Sequence, residues 1–376
     1  MKIEYCFDYS TFAKPCDRFM SNQLHAQQRV LITDASLAFP APRPSHTPMS
    51  KIVRIHQLGG PEVLQFEDIN VGAPGPGELR IRVEAIGLNR SEAMFRAGAY
   101  LQPPQLPSLI GYEASGIVEA LGDGVTGFAP GERVCVLPTF RLGEYGVYGE
   151  QAIVPARSVL PAPPGLSAID SAAIWMQYLT AFGIVEAGKA GVGDFVLIPA
   201  ASSSVGIAAI QIANWVGAEP IALTRHSTKA DALRVLGAKH VVASAECDVV
   251  AEVMRITGGK GANVVFDPVG GPYVDTLAQT MAETGVLMIY GGLSGQATPY
   301  PHWPAAMKSL SLRGWVFSYI AGHPLRFARY RELVLRGLQG GQLKPVIART
   351  FPLSQIADAH RYLESNQQIG KVVVTV

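Results

Sequence analysis

The stretch "DFVLIPAASSSVGIAAIQIANWVGA", residues 194–218, decides the fold. Phe195–Ile198 is a short apolar run, long enough for a buried strand. After a turn of small residues, an uncharged apolar segment runs to Ala218 with the length of a helix. Strand, small-residue turn and helix together open a βαβ unit at the point where a dinucleotide lies across the helix N-terminus. The usual turn there is G-x-G-x-x-G, and this chain has Ala201-Ser202-Ser203-Ser204-Val205-Gly206. Only the last glycine, the one that lets helix and strand pack closely, remains. The serines can act as caps for the helix, or their hydroxyls can add donors for a pyrophosphate that the helix amides already attract.

Downstream the pattern repeats. Strand "PIALT" (220–224) leads to helix "STKADALRVLG" (227–237), and strand "HVVA" (240–243) to helix "VVAEVMRIT" (249–257). Strand "NVVFDPVG" (263–270) leads to helix "YVDTLAQTMAETG" (273–285) and strand "VLMIYGG" (286–292). Alternation of this kind specifies a doubly wound parallel sheet, an α/β fold with its ligand beyond the carboxyl ends of the strands. The turns that end two of these strands supply further cofactor candidates, Val269 and Gly270 in one, Gly291, Gly292 and Leu293 in the other.

The end of the second strand selects the cofactor. NAD-binding chains place a carboxylate there for the ribose hydroxyls. This chain has Thr224, then Arg225, with Lys229 a few residues on. Two cations and no carboxylate favour a 2′-phosphate, so the expected cofactor is NADP(H).

Upstream, "ELRIRVEAIGLN" (78–89), "ASGIVEALG" (114–122), "GERVCVLP" (131–138) and "QAIVPARSVLPAP" (151–163) are short strand-like runs cut by Gly and Pro. They describe a β-rich domain. Residues 1–48 end in "FPAPRPSHTP" and read as an N-terminal extension or leader. The expected limits are 1–48 for that extension, 49–165 for the β-rich domain and 166–320 for the dinucleotide-binding domain. Residues 321–376 should be a tail that returns to the β-rich domain.

Composition excludes several classes. A net charge of +1 with scattered basic residues gives no footprint for nucleic acid or an anionic membrane. Four irregularly spaced cysteines do not form a disulfide framework. The longest uncharged run contains Pro199, three serines, Gln211 and Asn214, which suit a buried strand and helix better than a membrane span. The expected protein is soluble and cytoplasmic, with a small molecule as its partner.

From about residue 50 onward the chain resembles the medium-chain dehydrogenase/reductase superfamily, and most of all its zinc-free quinone oxidoreductase (zeta-crystallin-like) branch. The matching stretches are "GPEVLQFEDI", "IGLNRSEAMFRAGAY", "LIGYEASGIVEALGDGV", "MQYLTAFGIV", "AASSSVGIAAIQIA", "FDPVGG" and "FPLSQIADAHRYLESNQQIGKVVVTV". The resemblance implies a GroES-like β-rich catalytic domain beside a Rossmann domain, with the active site in the cleft between them. Zinc members carry Cys, Gly-His-Glu and a further Cys or Asp. At those places this chain has Asn89 or a neighbour, Tyr112 in "GYE", and Met176-Gln177, so no metal is expected.

By the same resemblance, Asn89 lies by the nicotinamide ribose and the substrate, and Tyr100 lines their pocket. Thr180 lies near the nicotinamide and Lys371 near the cofactor. Tyr100 and Tyr112 are candidate proton donors or oxygen-polarising groups, with plain aromatic wall as the other reading and water as a competing donor. The implied activity is NADPH-dependent hydride transfer to a quinone or an α,β-unsaturated carbonyl. The alternatives are an enoyl-thioester or acrylate-type reductase, and a non-catalytic NADPH-binding protein. The resemblance also implies a homodimer, paired edge to edge near "SLSLRGWVF" (309–317).

Overall fold

The computed structural model describes residues 49–376, so the expectation for residues 1–48 lies outside the described residues. Two large sheets organise the chain. The first is built around the long strand Glu78–Gly87, whose alternate residues Leu79, Ile81, Val83 and Ala85 are buried. Its amino-terminal half pairs with Gln151–Pro155, its carboxyl-terminal end with Lys371–Thr375, and most of its length with Glu113–Leu121. Arg133–Val136, Val159–Pro161 and Ile347–Pro352 extend the sheet. A small three-stranded sheet of Leu64–Ile69, Ser50–Ile55 and Ser108–Leu109 closes one side.

The second sheet is parallel throughout. Its order is His240–Ala243, Glu219–Thr224, Phe195–Ile198, Ala262–Asp267, Met281–Ile289, Ser311–Gly314. The strand order reverses direction at Phe195–Ile198, and the crevice outside that point is where such sheets bind ligands. "FVLI" is continuously apolar because the strand is covered on both faces. Val196 and Ile198 join the core formed with helix Ser204–Trp215, and Leu197 joins the opposite core with Val253, Val274 and Leu277.

Two expectations are corrected. The helix expected over 273–285 stops at Gln279, and the following strand starts at Met281, five residues earlier than the apolar pattern indicates. Thr280 turns its hydroxyl onto the Leu277 carbonyl, and Lys308 takes the Gln279 and Met281 carbonyls, so the helix end is satisfied there. The tail expected to leave the second domain at 321 stays for one more helix, Pro324–Gln339. Tyr330 and Val334 are buried in the same core as Phe182 and Trp175, and the Tyr330 hydroxyl donates to Glu186 at 2.6 Å. The return to the first sheet comes at Ile347–Pro352, followed by helix Ile356–Glu364 and strand Lys371–Thr375.

Candidate active site

A cleft of about 1180 Å³ lies between the two sheets. Both kinds of expected residue meet on its walls. From the second sheet come Ser203, Ser204 and Val205 at the start of helix Ser204–Trp215, with Gly291, Gly292 and Leu293 from the turn beyond Ile289. From the first come Asn89, Tyr100, Tyr112 and Lys371, and Thr180 lines it from helix Trp175–Ala181.

The three serines have three different roles. Ser203 is the N-cap, and its hydroxyl accepts from the Gly206 amide at 3.0 Å. Ser202 faces away from the cleft wall, where its hydroxyl accepts from Lys229 at 3.0 Å. Ser204 lines the cleft, and among the described residues no acceptor meets the amides of Ser204 and Val205. Two unpaired helical amides at the positive end of a 12-residue helix can accept an anion. Orphaned polar atoms on the same walls, the Tyr290 hydroxyl and the Gln368 side-chain oxygen, also fit a polar ligand such as a dinucleotide.

Gly206 sits behind the turn. A Cβ there would lie 2.7 Å from the Ala201 carbonyl oxygen and 2.8 Å from that of Ala200. Because both obstacles are backbone, Gly206→Ala must push the helix off the strand. The expected outcome is a loss of about 1–3 kcal/mol of stability, with weaker nucleotide binding; thermal melting and nucleotide titration of the variant check both.

The remaining cofactor candidates lie off the cleft wall. Thr224 is buried at its strand end and Arg225 is exposed. The Lys229 ammonium donates to Ser202 and to the carbonyls of Asn366 and Gln368 at 2.7–3.0 Å. Burial, and then the nearby Arg225, lower its pKa. The Val269 and Gly270 amides are turned inward onto the buried Asp267 carboxylate, at 2.8 and 2.9 Å, and Pro268 lines the cleft in their place.

On the catalytic side, Lys371 and Glu113 form an ion pair at 2.7 Å with both side chains 0% exposed. Lys371 also donates to Asn89 Oδ1 at 2.7 Å. The other Glu113 oxygen accepts from the amides of Trp175 and Met176. Glu113 is therefore fully engaged, and Asn89, Tyr112, Met176 and Gln177 contribute no thiolate, imidazole or carboxylate. Among the described residues no cluster of three or more His, Cys, Asp or Glu forms. This donor set does not fit a zinc ion.

Tyr112 packs against Phe140 at 5.7 Å between ring centroids. Burial, and then the neighbouring Tyr100, push its phenol well above the ordinary value. Burial also raises Tyr100. Both therefore keep their protons at neutral pH. No carboxylate lines the cleft among the described residues, while Arg90, Arg141 and Lys371 do.

Two family models match the chain. One, "Alcohol dehydrogenase GroES-like domain", covers residues 75–164, and the other, "Zinc-binding dehydrogenase", covers residues 204–336. A 2-haloacrylate reductase from a Burkholderia species is 32% identical over 85% of this chain and 97% of its own. The chain belongs to the medium-chain dehydrogenase/reductase superfamily. Among solved structures of this superfamily, a quinone oxidoreductase of Escherichia coli in complex with NADPH matches with a TM-score of 0.80 at 27% identity, covering 87% of this chain and all of that one. An NAD-dependent alcohol dehydrogenase matches with a TM-score of 0.76 at 33% identity, over 87% and 99% of the two chains. The zinc-binding name attached to the second model describes the superfamily. It does not describe the ligands of this member, whose site lacks the donors.

Sequence reading missed several contributors. Trp315 and Phe317, assigned there to a dimer edge, line the cleft just beyond the edge strand Ser311–Gly314. Glu92 was legible as the last residue, three after the N-cap, of a capping box, "NRSE" (89–92). Tyr148 and His360 carried no local signal, since 212 residues separate these two hydrogen-bonded groups.

His360 is 0% exposed, and burial followed by the Arg96 charge lowers its pKa to about 3, against about 6.5 for a free imidazole. Between those values the unfolded chain binds the proton and the native protein does not, so stability falls as pH falls. At pH 5 the loss is about 2 kcal/mol relative to pH 7 and above. Melting temperatures across pH 5–8 check this. The slope should flatten in His360→Gln, which keeps one acceptor and one donor but cannot titrate.

Proposed function

We propose that the protein is a zinc-independent, NADPH-dependent reductase that delivers hydride to a quinone or to a double bond conjugated to a carbonyl. The observation that carries this is one cleft with unpaired helix amides on one wall and two proton-bearing phenols, without a carboxylate, on the other. When bound, the dinucleotide supplies the hydride. The Ser204 and Val205 amides would hold its pyrophosphate, and Arg225 with Lys229 its 2′-phosphate. Asn89 keeps one free lone pair on Oδ1 for a ribose hydroxyl, since Lys371 takes only the other, and its amide protons go to Gly87 and Glu92.

Without zinc, the substrate oxygen needs another source of polarisation. Tyr112 and Tyr100 supply it by donating hydrogen bonds where negative charge gathers. A phenol this reluctant to ionise holds its proton, so water supplies the proton that completes the reduction, at the α-carbon of an enone or at the oxygen of a quinone.

A second reading has its own support. Arg141, exposed on the substrate wall, pairs only with the neutral Gln102 side chain among the described residues. A free guanidinium there favours a carboxylate beside the double bond, as in an acrylate. The exposed apolar residues Tyr300, Trp303 and Met307, next to the edge strand Ser311–Gly314, support a homodimer. Among the described residues Cys135 and Cys247 form no disulfide, which suits a cytoplasmic location. Among the described residues no helix is long and apolar enough to cross a membrane.

The deciding experiment follows NADPH and NADH oxidation with a quinone, an enal, an enoyl thioester and an acrylate. Turnover of a quinone or enal with NADPH is expected, and Tyr112→Phe should lower kcat by about 10²-fold. Failure to bind either nucleotide would sink the proposal. Binding without turnover of any acceptor would leave a non-catalytic NADPH-binding protein.

A further inference from the structure

Behind the cleft runs a buried chain of titratable groups that the proposed reaction does not use. Arg96 is 1% exposed, Tyr148 2%, and His360 and Glu92 0%. Arg96 reaches partly exposed Glu364 with Nη2 at 2.8 Å and the Gly59 carbonyl with Nε at 3.0 Å. Its Nη1 meets His360 Nδ1 at 2.9 Å. His360 Nε2 meets the Tyr148 hydroxyl at 2.9 Å, and that hydroxyl meets Glu92 Oε2 at 3.0 Å.

The direction of every bond in this chain follows from its first member. A guanidinium can only donate, so His360 Nδ1 must accept. The imidazole proton is therefore on Nε2 and is given to the Tyr148 oxygen. Tyr148 then turns its own proton to Glu92, which must accept. Glu92 Oε2 also takes the Asn89 amide at 2.6 Å, and Oε1 takes the Tyr112 amide at 2.9 Å. Asn89 Nδ2 completes the set at 3.4 Å. Every group facing the carboxylate is a donor, and two of them are the backbones of residues on the cleft wall.

The geometry points to Glu92 as a positioning residue, locked by the Arg96–His360–Tyr148 chain, that holds Asn89 and Tyr112 in register with each other on one wall of the cleft. Asn89 opens helix Arg90–Arg96 and Tyr112 precedes strand Glu113–Leu121; the ladder between the two strands ends at the Gly87–Glu113 pair, and among the described residues no backbone hydrogen bond beyond it links Asn89 to Tyr112. The Glu92 carboxylate joins their two backbones directly. The chain is not a route for protons from solvent, because the guanidinium at its outer end neither gives up a proton nor accepts one.

This inference rests on the reading of Asn89 and Tyr112 given above, so Asn89→Ala is measured beside the test variants. Tyr148→Phe keeps the ring and removes only the hydroxyl. It should lower kcat about tenfold or more, through misplacement of the two residues, with KM and the NADPH dissociation constant changed by less than about threefold. His360→Leu should do the same, and His360→Gln, which can accept from Arg96 and donate to Tyr148, should recover most of the loss.

A merely structural chain gives another pattern: lower melting temperatures for Tyr148→Phe and His360→Leu, with kcat unchanged. That result, with Asn89→Ala impaired, overturns the positioning role alone. So does a His360→Gln variant as slow as His360→Leu. Full activity in Asn89→Ala overturns the reading of the site, and the inference with it.

Discussion

Replacing Lys371 by methionine is expected to cost ~3–5 kcal/mol of stability, the usual penalty for leaving one member of a buried ion pair uncompensated. Lys371 and Glu113 are both 0% exposed and 2.7 Å apart. Without the ammonium, one Glu113 oxygen keeps the amides of Trp175 and Met176, and the other faces no cation. The double variant Glu113→Gln/Lys371→Met should recover a good part of the loss, because the stranded charge is removed as well. Denaturant midpoints of the two variants make the comparison. A single variant within about 1 kcal/mol of the parent would show that the pair behaves as a surface pair does. Activity should fall too, since Lys371 also fixes the Asn89 oxygen.

The second large effect is on cofactor choice. Arg225→Ala together with Lys229→Ala should lower NADPH affinity about 10²-fold, from the loss of two positive charges beside the 2′-phosphate. NADH affinity should change much less. The two cations lie close enough for Arg225 to lower the Lys229 pKa, an arrangement that an intervening phosphate relieves. Lys229 also ties the serine turn to the Asn366 and Gln368 carbonyls, so some loss of NADH binding is expected from that tie alone. The ratio of the two affinities is therefore the measurement that matters, and an unchanged ratio would refute the assignment.

The parallel sheet was legible because its code is local. Strands such as "FVLI" and "HVVA" alternate with helices of matching length, and each carries its own apolar signature. The serine turn was legible for the same reason, as a strand end and a helix start meeting within a few residues. The end of the helix at Gln279 was not, because "MAETG" suits a helix until Met281 finds Ala262 to pair with. Nor was the late return of the tail, which is set by Tyr330 and Val334 finding a core that the earlier helices had already built.

Among site residues the same division holds. Asn89, Tyr100, Tyr112, Thr180 and Lys371 came from motif resemblance, and the fold brings all five to one cleft. By itself the sequence determined the βαβ frame, the helix end for an anion and the two cations beyond Thr224. Each of these depends on residues near one another in the chain. Only the tertiary structure decided which serine caps, that Asp267 takes the Val269 and Gly270 amides, and that Glu113 faces Lys371 from 258 positions away. The physical reason is that a buried polar group must find its partner in space, and one-dimensional spacing carries no record of a partner from a distant part of the chain.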